Sequence, residues 1–445
     1  MLLRFAAENI LSFKDAVEFN TFPSSKSHSH DWHKKKIGNI DILRMSVIYG
    51  ANGAGKSNLI NCIMLLKTIL STDRLNNITL EGDLNFKLDK KDPESHSELA
   101  IEFNMEDDIF YYHVVFNKKE ILKEELFLSG KKKDLTVFTR ENGNVNVTYD
   151  FINIPEKKDA AKIFLDVLSR TIKPDMTAFY FLGHYYHNEF PMVSKALSWF
   201  NTVEIVLPQS KTNNLPFIMD HDPEFNALVN QLVPDFSTGI TRLDVKTSEI
   251  SEEESKNDPE LANAIKLASE IPGVPVPLNR YNSKEISNVI FVNGKPVIKS
   301  LISFHKNIDG NEVEFDMDME SDGTRRLIEY MPLLYMIMKS DNTFLVDEIE
   351  RSIHPILIKN IISKISESKE ARGQLIFTTH ESCLLDQAIF RPDEIWFAQK
   401  DVNQSTQLYP LSDYNIHKTA NIENGYLNGR YGGIPFLANL NDLKW

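Results

Sequence analysis

The sequence predicts an α/β protein built on a mixed sheet with helices, with an antiparallel N-terminal subdomain and a mainly helical insertion. The apolar segment MSVIYG runs directly into GANGAGKS, and apolar residues at helical spacing follow, so the order is strand, loop, helix. Residues 321–400 alternate helical and strand-like segments, as a parallel α/β unit does. Residues 85–150 favour a series of strands separated by turn signals such as Asn142-Gly143-Asn144.

The chain divides into three predicted regions. Residues 1–154 form an N-terminal lobe that contains the glycine-rich loop, and residues 291–445 form a C-terminal lobe. Residues 155–290 form a mainly helical insertion, because AAKIFLDVLSRTI has apolar residues at helical spacing. Its segment TSEISEEESKNDPE is acidic and poor in apolar residues, which favours an exposed loop. Because no motif falls in this insertion, we expect it to recognise a partner or a trigger.

Composition and charge argue against several classes of protein. The 445 residues are 42% hydrophobic, which suffices for a sizeable core. No run approaches the roughly 20 apolar residues of a bilayer crossing, and charges come too early for a signal peptide, so we expect a cytoplasmic protein without a membrane partner. A net charge of −14 leaves nucleic acid open as a ligand but does not indicate it. The cysteines, Cys62 and Cys383, provide neither a disulfide framework nor a CxxC site.

The segment GANGAGKS matches the phosphate-binding pattern GxxxxGK[ST]. Its glycines let backbone N–H groups wrap the phosphates, and Lys56 reaches the β- and γ-phosphates. The Ser57 hydroxyl, at a helix N-terminus, is placed to ligate Mg²⁺. The strand before the loop and the helix after it are the context that such a site requires. The predicted nucleotide contacts of the loop are Asn52, Gly53, Gly55, Lys56, Ser57 and Asn58.

A phosphate-binding loop needs a further acid to hold the metal, and the apolar strand TFLVDE supplies one. Asp347 is placed to bind Mg²⁺ through water, and Glu348 to polarise the water that attacks the γ-phosphate. The strand QLIFTTH ends in His380, whose imidazole could sense the γ-phosphate. We therefore predict Glu348 and His380 as catalytic residues, with Ser57 and Asp347 as metal ligands.

A second phosphate-binding pattern, ESDGTRRL, lies before the acid strand. Its residues Ser321, Gly323 and Thr324 precede a predicted helix, and a small hydroxyl with a glycine at a helix N-terminus suits a phosphate. One nucleotide does not easily use two such elements. The economical arrangement is a homodimer in which Ser321 and Gly323 of one subunit close over the nucleotide bound by the other.

The order GANGAGKS, ESDGTRRL, TFLVDEIERSIHP, TTH resembles an ABC-type ATPase head of the SMC/OLD-like branch. The resemblance implies that SDGT is the ABC signature, Asp347 and Glu348 the Walker B acids, Glu350 to His354 the D-loop and His380 the switch histidine. More narrowly, LLRFAAENILSFKD and GRYGGIPFL resemble the AbiLi/RloA abortive-infection ATPases, close to the ATPase subunit of the PARIS anti-phage system.

This resemblance implies ATP and Mg²⁺ as cofactors, ATP hydrolysis as the activity, and a homodimer or higher homo-oligomer with composite sites. It also implies an antiviral role in which the ATPase controls a separate toxic effector and answers a phage-encoded trigger. We find no acidic DxD cluster behind a glycine-rich strand, as a TOPRIM nuclease domain would need. We therefore expect a TOPRIM-like nuclease to be a separate partner protein.

Two departures from the family pattern bear on mechanism. ABC-type relatives place a glutamine, which couples Mg²⁺ to the arms, between the phosphate-binding loop (Walker A) and the signature. In this chain no glutamine occurs before Gln209, which leaves Glu124 or Glu125 as substitutes. The signature has Asp322 in place of one glycine, which puts an acid near the partner's triphosphate.

Two other functions stay open. A DNA-binding repair or DNA-end-processing ATPase of the SMC type would need heptad arms or a basic inner face, and neither is visible. A transporter ATPase would need the glutamine and a complete LSGGQ. Some motifs have structural interpretations. The cluster of His28, His30, Asp31 and His33 suggests a solvated loop, and His184 and His187 suggest aromatic packing. Arg325 and Arg326 suggest a surface position, with trans-acting phosphate contacts left open.

Overall fold

The computed structural model describes residues 1–73, 75, 84–89, 95–130, 133–154, 158–210, 214–281, 283–417 and 420–434, so the end of GRYGGIPFL, residues 435–437, lies outside it. Within these residues the helices are α1 (Lys56–Ile69), α2 (Lys158–Thr171), α3 (Ala178–Tyr185), α4 (Pro191–Ser198), α5 (Leu215–His221), α6 (Pro223–Leu232), α7 (Glu252–Asn257), α8 (Pro259–Glu270), α9 (Asp322–Glu329), α10 (Met331–Lys339), α11 (Pro355–Glu367) and α12 (Ile422–Leu427). The strands are β1 (Leu2–Glu8), β2 (Val17–Asn20), β3 (Lys34–Ile37), β4 (Ile40–Leu43), β5 (Met45–Gly50), β6 (Ser97–Met105), β7 (Asp108–Phe116), β8 (Ile121–Leu128), β9 (Leu135–Glu141), β10 (Asn144–Val147), β11 (Val203–Val206), β12 (Ile240–Glu249), β13 (Val276–Pro277), β14 (Ser287–Val292), β15 (Lys295–Lys306), β16 (Glu312–Asp316), β17 (Thr343–Val346), β18 (Gln374–Thr378), β19 (Ile395–Lys400) and β20 (Thr406–Pro410).

The chain forms two compact units that cut across the three predicted regions. The first unit comprises Met1–Leu207, Ser340–Ile349 and Ile362–Trp445, and the second comprises Pro208–Lys339 and Glu350–Ile361. Residues 155–207 therefore belong to the first unit, and residues 291–339 belong to the second.

The first unit contains a six-stranded sheet in the order β11-β17-β18-β5-β19-β20. Neighbouring strands are parallel except β19 and β20. Every residue of β5, β17 and β18 is buried, as expected for strands that are covered on both faces. Parallel strands end at the same edge of a sheet, so the segments that follow Gly50, Val346 and Thr378 come together. The predicted parallel α/β arrangement is confirmed.

A seven-stranded antiparallel sheet belongs to the same unit, in the order β10-β9-β8-β7-β6-β1-β2, and it confirms the predicted antiparallel subdomain. Its strands alternate buried and partly exposed residues; in β6 the buried ones include Leu99, Ile101 and Phe103. Helix α3 packs on the buried face, where the ring centroids of Tyr112 and Phe179 are 4.6 Å apart. This packing explains why residues 158–207 join the first unit.

The second unit contains a sheet in the order β12-β15-β14-β13, with β16 paired to β15. Asn293-Gly294 joins β14 to β15 in a hairpin, and both residues have positive φ, as a type I′ turn requires. The loop predicted for TSEISEEESKNDPE is wrong, because β12 continues to Glu249 and α7 and α8 follow. A capping box between Ser251 and Glu254 begins α7. These hydrogen bonds stabilise a helix that has no apolar residues to pack. Residues 208–290 are thus mixed helix and strand.

Among the described residues, no helix has the length and apolar character needed to span a membrane.

Candidate functional site

The glycine-rich loop connects β5 to α1 in the first unit, and Gly53 and Gly55 have φ of 77° and 101°. A Cβ on Gly55 would lie 2.1 Å from Thr406 Oγ1, so both the backbone conformation and the space require glycine there. Asn52 and Gly53 are exposed at the tip of the loop, whereas Ser57 and Asn58 are partly buried. The loop therefore presents backbone N–H groups at the N-terminus of α1.

Lys56 is the first residue of α1 and is only 5% exposed. Its Nζ donates to the carbonyl oxygens of Gly50, at 2.8 Å, and Ala51, at 3.2 Å. It also lies 3.4 Å from Nδ1 of His380. An ammonium group only donates, so in this contact Nδ1 is the acceptor and the proton of a neutral His380 is on Nε2. The structure thus brings together two predicted residues that are 324 positions apart.

Asp347 follows the last residue of β17 and is 4% exposed. Its Oδ1 accepts from Ser57 Oγ at 3.0 Å and from Thr378 Oγ1 at 2.6 Å. Its backbone N–H donates to Val206 O at 2.9 Å, which fixes the chain at the strand end. The two predicted metal ligands, Ser57 and Asp347, are therefore adjacent. A hydroxyl and a carboxylate are the hard oxygen donors that Mg²⁺ prefers, so the donor set fits this ion.

Thr378, the last residue of β18, belongs to the segment TTH, in which only His380 has a predicted role, and the structure adds it to the site. Besides donating to Asp347, its Oγ1 accepts from the backbone N–H of Glu348 at 2.8 Å. Glu348 has φ of 49°, an uncommon conformation for a residue with a long side chain. One threonine hydroxyl thus orients both acids, and the constrained backbone at Glu348 aims its carboxylate.

Glu348 and His380 face each other at the edge of the sheet. His380 Nε2 lies 3.9 Å from Glu348 Oε1, and the two side chains are 35% and 36% exposed. They are thus accessible to solvent, in contrast to Asp347 and Lys56. An acid and an imidazole in this position can accept and transmit a proton.

A second unpredicted group supports the loop from β20. The Thr406 hydroxyl lies 2.8 Å from both Ala54 O and Ser12 Oγ, and it accepts from Lys400 Nζ at 3.0 Å. Thr406 is fully buried. The contacts fix the carbonyl of Ala54, which sets the direction of the loop's peptide groups.

The predicted signature residues lie in the second unit, at the start of α9. Ser321 is exposed and caps this helix: its Oγ accepts from Thr324 N at 3.1 Å and lies 2.8 Å from Thr324 Oγ1. A Cβ on Gly323 would lie 2.5 Å from Ser352 O, so this position has no room for a side chain. The three residues form the small-residue helix start that the sequence predicts.

Glu320, which precedes Ser321, anchors the start of α9 to β15. Its Oε1 accepts from Ser303 Oγ at 2.6 Å and contacts His305 Nε2 at 2.7 Å. The expected surface position of Arg325 and Arg326 is wrong, because they are only 7% and 6% exposed. Arg325 donates to Met317 O and Glu320 O and pairs with Asp322, while Arg326 donates to Ser210 O and lies over the ring of Tyr330. Both guanidinium groups are occupied in local structure.

Glu124 does not replace the missing glutamine. Its fully buried carboxylate accepts from Tyr112 OH at 2.9 Å and from Arg140 Nη1 at 3.1 Å. It also accepts from the backbone N–H groups of Ala178, at 2.7 Å, and Phe179, at 3.2 Å. These contacts satisfy the N-terminus of α3, where a negative charge is favourable. Glu125 pairs instead with Lys123, at 2.9 Å, on the surface of the same sheet.

The histidine-rich stretch is not a solvated loop throughout. His33 is fully buried, with Nε2 2.8 Å from Ser366 O and Nδ1 2.8 Å from Glu394 Oε1. Burial raises the pKa of Glu394, and the hydrogen bond and charge of His33 offset part of this rise. The aromatic packing predicted for His184 is confirmed by its ring stacking on Tyr180, with centroids 5.0 Å apart, whereas His187 is exposed. Among the described residues, no group of three or more His, Cys, Asp or Glu side chains could hold a metal ion.

Comparison with known protein families identifies a family for this chain. Residues 45–386 match the family model described as "AAA domain, putative AbiEii toxin, Type IV TA system". No curated protein sequence matches the chain. One similar solved structure is an Smc head bound to the C-winged helix domain of ScpA, with 16% identity, 92% of this chain and 97% of that chain covered, and a TM-score of 0.40. A second is the SMC head domain from Thermotoga maritima, with 12% identity, 93% of this chain and 99% of that chain covered, and a TM-score of 0.39. A third is an Smc head with an extended coiled coil bound to the C-terminal domain of ScpA derived from Pyrococcus furiosus, with 15% identity, 92% of this chain and 96% of that chain covered, and a TM-score of 0.40. The family match spans well over half of the sequence, and the chain belongs to this AAA domain family, a family of ATPases.

Proposed function

We propose that this chain binds ATP with Mg²⁺ at the loop between β5 and α1 and hydrolyses it. The observation that carries the proposal is the contact between Ser57 Oγ and Asp347 Oδ1, 3.0 Å apart, beside the ammonium of Lys56. It unites a phosphate-binding loop with an oxygen pair for a divalent cation, at one edge of the parallel sheet. Membership of an ATPase family supports the same reaction.

The residues of the first unit have separable roles in this reaction. Backbone N–H groups of residues 53–57 bind the phosphates, and Lys56 leaves the carbonyls of Gly50 and Ala51 to contact the β- and γ-phosphates. Ser57 and Asp347 would hold Mg²⁺, which when bound would supply positive charge beside the phosphate oxygens. Glu348 accepts the proton of the attacking water, and His380 contacts the γ-phosphate.

We further infer that ATP promotes head-to-head dimerisation. The exposed Ser321 and the adjacent Gly323 and Thr324 of one copy would contact the triphosphate held by the other copy's Lys56 and Ser57. Gly323 packs against Ser352 O of its own chain, so a side chain at this position would disturb the start of α9 that carries Ser321. The resulting composite sites would couple ATP to assembly.

In the cell, we propose that this ATPase is a subunit of a bacterial anti-phage, abortive-infection system. ATP-dependent assembly would control a separate toxic effector, a TOPRIM-like nuclease, in answer to a phage-encoded trigger. The support is the family description, which names a toxin of a toxin–antitoxin system, and the family resemblance of the motifs. The helices and strands of residues 208–290, in the second unit, are the proposed recognition region for the effector or the trigger.

Two experiments test these proposals. Purified protein should hydrolyse ATP in a Mg²⁺-dependent manner, and Lys56→Ala or Glu348→Gln should abolish turnover, whereas the exposed-site controls Lys119→Ala and Glu370→Gln should not. Co-expressed with the neighbouring gene under phage challenge, the two site variants should lose protection. Undiminished protection by both would refute the defence role. An ATP-strengthened, salt-dependent affinity for duplex DNA would favour a DNA repair or DNA-end-processing ATPase instead.

A further inference from the structure

Asp322 is the first residue of α9, directly after Ser321, and its charge has a specific partner. Its Oδ1 lies 3.1 Å from Lys284 Nζ and also pairs with Arg325. The hydrogen bond from Lys284, followed by the charges of both cations, lowers the pKa of Asp322 below its usual range. The aspartate that replaces a glycine of the signature is therefore ionised at neutral pH.

Lys284 is placed beside this helix start by its own backbone. Its N–H donates to Asp318 Oδ1, and Ser283 Oγ lies 3.4 Å from the other oxygen of the same carboxylate. The Lys284 side chain remains 56% exposed, whereas that of Arg325 is 9% exposed and donates to two backbone carbonyl groups. Lys284 thus brings an accessible ammonium to the signature from a segment about 40 residues earlier in the chain.

An exposed ion pair of this kind contributes little to folding, so stability alone gives little reason for it. The proposed function gives a stronger one. In the proposed dimer, the start of α9 lies against a triphosphate on another copy, where the charge of Asp322 would repel the phosphates. Arg325 also pairs with Asp322 but is 9% exposed and bonded to backbone carbonyl groups, so Lys284 is the accessible cation beside this aspartate. A cation bonded to that aspartate removes the repulsion and can itself face the phosphate oxygens.

We propose that Lys284 is a residue of the composite nucleotide site, the counter-charge that makes Asp322 compatible with a partner's ATP. This inference rests on the proposed ATP-dependent dimerisation. It predicts that the effect of removing Lys284 depends on whether Asp322 is charged. It also predicts an effect on association of two copies and not on nucleotide binding by one copy.

The test is a double-mutant cycle in the Glu348→Gln background, which should retain ATP and accumulate dimer. Dimerisation constants with Mg²⁺ and ATP are measured by analytical ultracentrifugation for the parent, Lys284→Ala, Asp322→Asn and the double variant. Lys284→Ala should weaken dimerisation about tenfold, and adding Asp322→Asn should restore it to within about threefold of the parent. Lys266→Ala, at an exposed lysine of α8, is the matched control and should match the parent.

Two further measurements separate the outcomes. The affinity of dilute Lys284→Ala monomer for a fluorescent ATP analogue, and its melting temperature, should equal those of the parent. If the parent does not dimerise with ATP, the proposed function fails. If the parent dimerises and Lys284→Ala dimerises equally well, or if Asp322→Asn does not rescue it, the role of Lys284 is refuted.

Discussion

Thr378 Oγ1 donates a 2.6 Å hydrogen bond to Asp347 Oδ1, although Thr378 ends β18 and Asp347 follows the end of β17. The same oxygen accepts from the backbone N–H of Glu348. Because β17 and β18 are neighbours in the parallel sheet, the threonine fixes the direction of both acids from the adjacent strand. The hydroxyl therefore links the proposed metal ligand to the proposed general base.

Replacing Thr378 with valine keeps the volume and removes this hydroxyl. We expect ATP turnover to fall about ten- to a hundredfold, because groups that orient a metal-binding carboxylate have effects of this size. Thr378→Ser should retain most of the activity. Steady-state ATPase assays across a Mg²⁺ titration measure the effect, and a Thr378→Val enzyme with wild-type turnover would show that the hydroxyl does not orient the acids.

Thr406→Val removes the contact with Ala54 O while leaving a buried side chain of similar shape. The loss of a buried hydrogen-bond partner costs about 1 to 3 kcal/mol, and here it should loosen the glycine-rich loop. We expect ATP affinity to fall about tenfold with little change in turnover at saturating ATP. Isothermal titration with a non-hydrolysable ATP analogue measures it, and unchanged affinity would mean that Thr406 is not needed to shape the loop.

Glu124→Ala should act on stability. It leaves Arg140 buried without its charged partner and the first N–H groups of α3 unsatisfied, so the free energy of unfolding should fall by about 3 to 5 kcal/mol. The neighbouring Glu125→Ala, which removes a surface ion pair, should change it by less than about 0.5 kcal/mol. Urea denaturation compares the two, and equal stabilities would contradict the structural role of Glu124. Nucleotide affinity of folded Glu124→Ala should be unchanged.

The two thiols should differ in reactivity. Cys62 is fully buried on α1, and burial raises the pKa of its thiol, so the reactive thiolate is suppressed. Cys383 is partly exposed. In a disulfide-exchange assay on native protein at pH 8, one thiol should react quickly and the second only after urea is added. Fast reaction of both, or a native Cys383→Ser protein that still reacts, would contradict the burial of Cys62.

Much of the proposed catalytic centre could be predicted because its motifs are local in sequence. GANGAGKS between a strand and a helix, and an apolar strand ending in Asp347-Glu348, carry their signals within a few neighbouring residues. The sheet then brings them together as expected. Thr378 and Thr406 had no comparable signal, because their hydroxyls act on residues about 30 and 350 positions away through the pairing of strands.

The errors have a common physical origin. His33, Arg325 and Arg326 have polar side chains in polar stretches, which suggests solvent exposure, yet each is buried with backbone carbonyl groups as partners. Such partners are invisible in sequence because any residue can supply a carbonyl. The helices that begin in TSEISEEESKNDPE depend on caps and on the packing of a few apolar residues such as Leu261, which an acidic composition does not reveal.

A complementation assay between two inactive variants decides whether the ATP site is formed by two copies of the chain. Lys56→Ala disables the loop, and Ser321→Arg blocks the exposed signature residue, so each protein alone should show background turnover. A mixed dimer has one doubly defective site and one intact site. An equimolar mixture should therefore regain about a quarter of wild-type turnover, given random pairing and independent sites. If native mass spectrometry detects the heterodimer in the mixture and turnover stays at background, the ATP site is not composite.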